Sequence, residues 1–203
     1  KISLAKTYQL MGQLNDAGKY FQLAVDENPQ NANAFYHYGL FMEEKGDKQR
    51  AIINYRNALK LERKLYKVHQ PLGKLLEETG QLEDAITQYT LGLKYDENNP
   101  ELHFKVAEIF QKMGMFDKSL PFIKEASSMQ PKNAEVQSLL GKAYLEKDNS
   151  IDALKAYEKS VKINPENPEN QYQLGRLLRL EKQFKNARQA LEKALSLRDD
   201  HVP

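Results

Sequence analysis

Apolar residues recur along this chain in alternating stripes, each spaced for a helix that buries one face. Between Ala134 and Asn167, Val136, Leu139, Leu140, Ala143 and Tyr144 follow the i, i+3, i+4, i+7, i+8 spacing of a one-sided helix. Leu154, Tyr157, Val161 and Ile163 form a second stripe, and the polar run Lys147–Asp148–Asn149–Ser150 separates the two as a turn. The same skeleton returns every 34 residues. Gly141 aligns with Ala5, Gly39, Gly73, Ala107 and Gly175; Tyr144 aligns with Tyr8, Met42, Leu76, Phe110 and Leu178. Ala153 aligns with Ala17, Ala51, Ala85, Ser119 and Ala187, and no residue is inserted or deleted between copies. The chain reads as a single solenoid over 1–203 with six units: 1–31 (lacking its first three places), 32–65, 66–99, 100–133, 134–167 and 168–201. A helix pair this small cannot cover its own apolar face, so stacking on neighbours supplies the stability.

The residues around the stripes agree with this reading. Gly12, Gly46, Gly80 and Gly114 stand where Asp148 does, at the end of the first helix, where a left-handed residue closes it. Asp16, Asp84 and Asp152 put negative charge in the first turn of second helices, where the helix dipole favours it. Pro29, Pro131 and Pro165 end second helices. Gly39, Gly73, Gly141 and Gly175, with the alanines at 51, 85, 153 and 187, let paired helices approach, and Tyr55, Tyr89 and Tyr157 fill the space beside them. Two units depart from the pattern. Arg63 and Glu97 replace the terminal proline, and no breaker interrupts Lys60 to Gln70 before Pro71, which sits about a turn into its helix. Pro71 reads as a tolerated first-turn proline or as a hinge; Pro121 intrudes similarly on the second helix of unit four.

Composition narrows the functional classes. Lys+Arg 30 against Asp+Glu 28 leaves a net charge of +2, too balanced for electrostatic nucleic-acid binding. No apolar run approaches the roughly 18 residues of a membrane-spanning helix, and mean hydropathy is −0.73. With no cysteine, disulfides, thiolate metal sites and cysteine nucleophiles are excluded. No phosphate loop, nucleophile elbow or zinc-type HExxH is present. His69 and His103 share a repeat place, which predicts ordinary packing between helices; His37 and His201 have no evident partner. Glu43–Glu44, Glu77–Glu78 and Asp199–Asp200 are neighbours in sequence and do not face one another on a helix, so they read as solvated charge. No catalytic, cofactor or metal site is expected.

The skeleton resembles the tetratricopeptide repeat (TPR) family over essentially the whole chain: Leu140–Gly141, Tyr144, Gly114, Ala153, Tyr157, Ala126 and Pro165 stand at its motif places. The family's early tryptophan is replaced by Phe35, His69, His103, Gln137 and Gln171. The resemblance implies an all-α solenoid of antiparallel helix pairs, wound as a right-handed superhelix whose first helices line a concave face. It implies a non-catalytic scaffold binding a protein or peptide partner there. In that frame the fifth place reads Ile2, Tyr36, Gln70, Phe104, Ser138, Tyr172, and the ninth reads Lys6, Leu40, Lys74, Glu108, Lys142, Arg176. The expected partner-binding residues are Lys6, Tyr36, Leu40, Lys74, Phe104, Glu108, Lys142, Tyr172 and Arg176. Aromatics at Tyr36, Phe104 and Tyr172 alternate with lysines at Lys6, Lys74 and Lys142. Successive lysines would stand about 18 Å apart in a stack, a ladder suited to an extended segment with apolar and acidic side chains. Unit five is individual at Ser138, Lys142, Leu145 and Glu146 on the same face.

Two specific members of the family are excluded by sequence. The carboxylate clamp for heat-shock chaperones needs an arginine where Pro71 stands, four places after Lys67, and no window supplies the full set. The asparagine column of O-linked N-acetylglucosamine transferase superhelices is Ser3, His37, Pro71, Lys105, Leu139 and Gln173 here. At the C-terminal end, Ala187, Leu191, Ala194 and Leu195 lie on a final helix that a further unit would normally cover. This predicts more protein beyond it or a docked subunit, with Leu191 and Leu195 as the docking residues. The chain starts at Lys1 within a first helix and reads as part of a longer protein, so a targeting signal would lie outside it. A regulatory or targeting module of a larger enzyme, and a self-associating assembly scaffold, stay open beside the partner-binding reading.

Overall fold

The structure, a computed structural model, describes residues 1–199. The described residues form helices and no strand, in two compact units. The first unit, Lys1–Glu97, holds α1 (Ile2–Leu10), α2 (Leu14–Glu27), α3 (Ala32–Glu44), α4 (Lys48–Leu61), a 3-10 turn (Tyr66–Val68), α5 (His69–Glu78) and α6 (Leu82–Leu93). The second, from Asn98 onward, holds α7 (Pro100–Lys112), α8 (Phe116–Met129), α9 (Ala134–Leu145), α10 (Ser150–Ile163), α11 (Pro168–Leu180) and α12 (Phe184–Asp199). Each odd-numbered helix packs most extensively on the even-numbered helix that follows it. The Asp199–Asp200 pair and His201 fall outside the residues whose side chains are described.

Small residues set the approach within each pair. Ala5, Ala17, Ala51, Ala85, Ala107 and Ala153 are fully buried. A Cβ built on Gly73 would lie 2.7 Å from the Tyr89 ring, and one on Gly141 would lie 2.8 Å from the Tyr157 ring. Glycine is therefore needed for the ring to lie flat on the helix backbone. The turns behave as their sequence predicts: Gly46 has φ 77° and Asp148 has φ 56°. Lys182 adopts the same left-handed conformation, φ 59°, without a residue type that favours it.

An asparagine column fixes where first helices begin. Asn31, Asn99, Asn133 and Asn167 each accept from a backbone N–H in the first turn, at 3.0 to 3.3 Å. The third repeat has Leu65 at this place, and Leu65 is buried. Without the cap, the chain leaves α4 after Leu61, makes the 3-10 turn, and starts α5 only at His69. The breaker-free run from Lys60 to Gln70 is therefore not one helix. Pro71 becomes the third residue of α5, where its missing N–H is one of the donors that a helix start leaves unpaired anyway. Pro121, in contrast, sits inside α8, which continues to Met129 despite the lost donor.

Candidate functional site

The first helices of the first unit carry Lys6, Tyr36, Leu40 and Lys74. Lys6 Nζ lies 3.1 Å from His37 Nε2, so the imidazole accepts and must be neutral on that nitrogen. Burial holds the His37 pKa below its ordinary value, and the charges of Lys6 and Lys67 push it the same way. Tyr36 is half-buried, with its ring 5.0 Å from that of His37 and 6.2 Å from that of Tyr55. Leu40 is half-buried as well.

Glu43 is the hub of this surface. Its Oε1 accepts from Lys74 Nζ at 3.1 Å, and its Oε2 accepts from the Tyr55 hydroxyl at 2.9 Å. The hydrogen bond and charge of Glu43 raise the Lys74 pKa; burial and then Glu43 raise that of Tyr55. The acid pairs are thus engaged, each member with a different partner. Glu44 accepts from Gln9, Tyr89 donates to Glu77 at 3.4 Å, and Glu78 pairs with Lys48 at 2.9 Å. His69 is buried, 2.9 Å from Gln88 Oε1 and stacked on Tyr95.

The second unit presents Phe104, Glu108, Lys142, Tyr172 and Arg176. Phe104 is half-buried against the cluster containing Val136 and Leu140. Glu108 accepts from Lys105 at 2.9 Å and pairs with Lys112 at 3.4 Å. Its burial favours the neutral acid, but the two lysines outweigh this and hold the pKa below its ordinary value. Arg176 lies 5.7 Å from the Tyr172 ring centre and donates to Gln173, while Lys142 lies 5.9 Å from the Phe116 ring.

Two hollows run between the first helices of this unit. One, of about 370 Å³, is lined by Phe104, Lys105 and Glu108 on α7 and by Ser138 and Leu139 on α9. The other, of about 670 Å³, is lined by Lys142, Leu145, Tyr157 and Arg176. They share Ser138, Leu139 and Asn170 as walls. Four of the expected residues, Phe104, Glu108, Lys142 and Arg176, are therefore brought together; Tyr172 stands beside them on α11, 38% exposed.

A polar chain in the wall was not anticipated. Ser138 Oγ donates to Asn170 Oδ1 at 2.6 Å, Asn170 Nδ2 donates to Ser160 Oγ at 2.8 Å, and Ser160 donates to the Ala134 carbonyl at 2.8 Å. The signal lay in the columns. Asn170 replaces an apolar residue found at Ala34, Val68, Leu102 and Val136, and Ser160 replaces Ala24, Ala58, Gly92 and Ala126. Two polar departures that touch each other satisfy each other.

At the C-terminal end the expected docking residues separate. Leu195 is 62% exposed, but Leu191 takes the repeat's tyrosine place and is half-buried, its Cγ 2.6 Å from where a Cβ on Gly175 would stand. Ala187 and Ala194 are buried rather than uncovered. The apolar side chains that do reach solvent are Leu195, Leu180 and Phe184, the last two 65% exposed.

Tetratricopeptide repeat models match residues 2–64, 134–167 and 168–201, and a TPR repeat model matches residues 73–114. No curated protein matches the chain in sequence. Among solved structures it superposes on YrrB, a TPR protein with an unusual peptide-binding site, at 18% identity over 89% of this chain and 93% of that one, with a TM-score of 0.77. MamA from Desulfovibrio magneticus RS-1 gives 19% identity, 85% and 97% coverage, and a TM-score of 0.73. PilF from Pseudomonas aeruginosa gives 16%, 98% and 90%, and 0.71. At these identities the likeness is one of fold. Among the described residues, no helix is long and apolar enough to cross a membrane.

Proposed function

This chain belongs to the tetratricopeptide repeat family, and from that premise we propose that it is a non-catalytic scaffold whose six repeats act as one solenoid, holding an extended segment of a partner protein against its first helices. The observation that carries this reading is the pair of hollows joined through Ser138, Leu139 and Asn170. Their walls mix half-buried apolar surface with charged groups, as a site for a mixed peptide segment requires. The peptide-binding site of the similarly folded YrrB supports the same use. Lys6, Tyr36, Leu40 and Lys74 would offer a surface of the same kind on the first unit. Lys74 does so as the partner of Glu43 and not as a free ammonium, which breaks the evenly spaced ladder.

The test is cross-linking mass spectrometry in the native source, comparing the wild type with Ser138→Arg, which fills the neck common to both hollows. Loss of partner cross-links with unchanged helicity supports the groove. Retention of all of them overturns it.

Self-association through the last helix pair is a second reading, supported by the exposure of Leu180, Phe184 and Leu195. A sedimentation coefficient that rises with concentration in the wild type and stays flat in Phe184→Glu would favour it.

A further inference from the structure

The repeat frame contains its own template for holding a carboxylate. In the first unit, the Glu43 carboxylate is gripped from two sides, by the Tyr55 hydroxyl of its own repeat at 2.9 Å and by the Lys74 ammonium of the next at 3.1 Å. Three repeats further on, the same places are occupied by Tyr157 for Tyr55, Arg176 for Lys74 and Leu145 for Glu43. The two gripping groups are present, and the side chain they would grip has become a leucine. Both Tyr157 and Arg176 line the larger hollow, together with Leu145 itself.

The hydroxyl is free to take part. Tyr157 is buried on Gly141 just as Tyr55 is buried on Gly39, but no described residue hydrogen-bonds its hydroxyl. Arg176 donates only to the neutral Gln173, so no described carboxylate neutralises it. Lys142, standing where the first unit has Leu40, lines the same hollow and likewise has no described carboxylate partner. At this place the site gains a cation over its template, while the places of Lys67 and Gly46 carry Glu169 and Asp148.

Three acids line the hollow, Glu146, Asp148 and Glu169, and none of them hydrogen-bonds the Tyr157 hydroxyl or pairs with Arg176 in the structure. Glu169 is held by Arg198 at 3.3 Å and by Gln173 at 2.7 Å. Glu146 lines the hollow, but its counterpart Glu44 stands beside the gripped Glu43 in the first unit and turns away to Gln9. An acidic neighbour at that place is therefore compatible with a held carboxylate one residue before it.

We propose that Tyr157 and Arg176, assisted by Lys142, receive an aspartate or glutamate side chain of the bound segment, which supplies in trans the carboxylate that Glu43 supplies in cis. The inference rests on the groove reading for the source of the carboxylate. A side chain is the source because the template carboxylate arrives on a flexible side chain reaching down past the helix surface. Guanidinium and phenol together are a strong donor pair for a carboxylate acceptor, since hydrogen bonds to a charged group are about twice as strong as neutral ones.

The probes are N-acetyl-glutamic acid α-amide, its glutamine counterpart, and N-acetyl-leucine, which carries only a terminal carboxylate. Each is titrated into the full chain carrying 13C-labelled tyrosine, with the Tyr157 ring signals as readout. The glutamic compound should shift them saturably, at least about tenfold more tightly than the glutamine compound, and more tightly than N-acetyl-leucine. Tyr172 ring signals give the readout in Tyr157→Phe and Arg176→Gln, where binding should weaken by about tenfold. Leu145→Glu should abolish it by filling the site from within, and Glu146→Gln should strengthen it.

No saturable shift, equal binding of the glutamine compound, tighter binding of N-acetyl-leucine, or full binding to Leu145→Glu overturns the proposal. If the probe fails while Ser138→Arg still abolishes partner cross-links, the groove stands and only the carboxylate site falls. If the probe binds and Ser138→Arg changes nothing, the groove reading falls and the carboxylate reaches the site by another route.

Discussion

The Tyr55 ring lies over Gly39 so closely that a Cβ on that glycine would stand 2.6 Å from Cε1 and 2.7 Å from Cδ1. Such contacts are not found between real atoms, so Gly39→Ala must push the ring off α3. Tyr55 also donates to Glu43, so the displacement would reach the Lys74 ion pair and not only the core. Gly39→Ala is expected to destabilise the protein by about 1–3 kcal/mol, seen as a lower urea midpoint and altered Tyr55 ring signals. Gly46→Asn is the control: it sits at φ 77° with open space around its Cβ position, and asparagine tolerates that conformation. A midpoint unchanged in Gly39→Ala would contradict the packing described.

The asparagine caps make a second expectation. Asn133 accepts from the backbone N–H groups of Glu135 and Val136, which have no intrahelical partner. Asn133→Ala should cost about 1 kcal/mol and speed hydrogen exchange at those two amides ahead of the rest of α9. Uniform exchange across α9 in the variant would count against it.

How much of this was legible in the sequence follows from the range of each interaction. Helix pairs, the left-handed turn at Asp148 and the seating of tyrosine on glycine were readable, because they depend on residue type at fixed places in one repeat. The late start of α5 was not anticipated, although Leu65 breaking the asparagine column announced it. Lys182 at φ 59° had no signal, since lysine does not favour that conformation. The groove charges were the least legible. Glu43 and Lys74 are 31 residues apart and stand at different places in adjacent repeats, so no column or helical spacing pairs them. Lys74 looks free in its own column; its partner, Glu43 on α3, shows only in the folded chain.

A pH dependence is expected at Lys6 and His37. The His37 pKa is lowered by burial first, then by Lys6 and Lys67. A group whose folded pKa is depressed contributes stability that is complete above its unfolded value and is lost as pH falls through the folded one. The contribution of His37 should therefore be intact above its ordinary 6.5 and disappear as pH falls below it. Titrating the His37 ring proton by NMR should give a midpoint below 6.5, moving up toward it in Lys6→Ala. A midpoint at or above that value in the wild type would refute the assignment.

The wall of the larger hollow makes the sharpest energetic test, because Asn170 and Ser160 satisfy each other in a buried place. Asn170 is 3% exposed and Ser160 fully buried. Asn170→Val alone restores the apolar residue of its column but removes a donor to Ser160 and the acceptor for Ser138. It should cost about 1–3 kcal/mol, the penalty for leaving a buried polar group without a partner. Ser160→Ala alone removes the link to the Ala134 carbonyl and strands the Asn170 amide, with a similar cost. The double variant returns both columns to the residues the other repeats carry and leaves only one side chain, the half-buried Ser138 hydroxyl, without its partner. It should therefore lose much less than the sum of the two single changes, with a coupling of about 1 kcal/mol or more. Additive losses in urea unfolding would show that the two side chains act separately. A double-variant loss well below the sum would instead mean that this stretch of groove wall is held by a polar pair that can be replaced only as a unit.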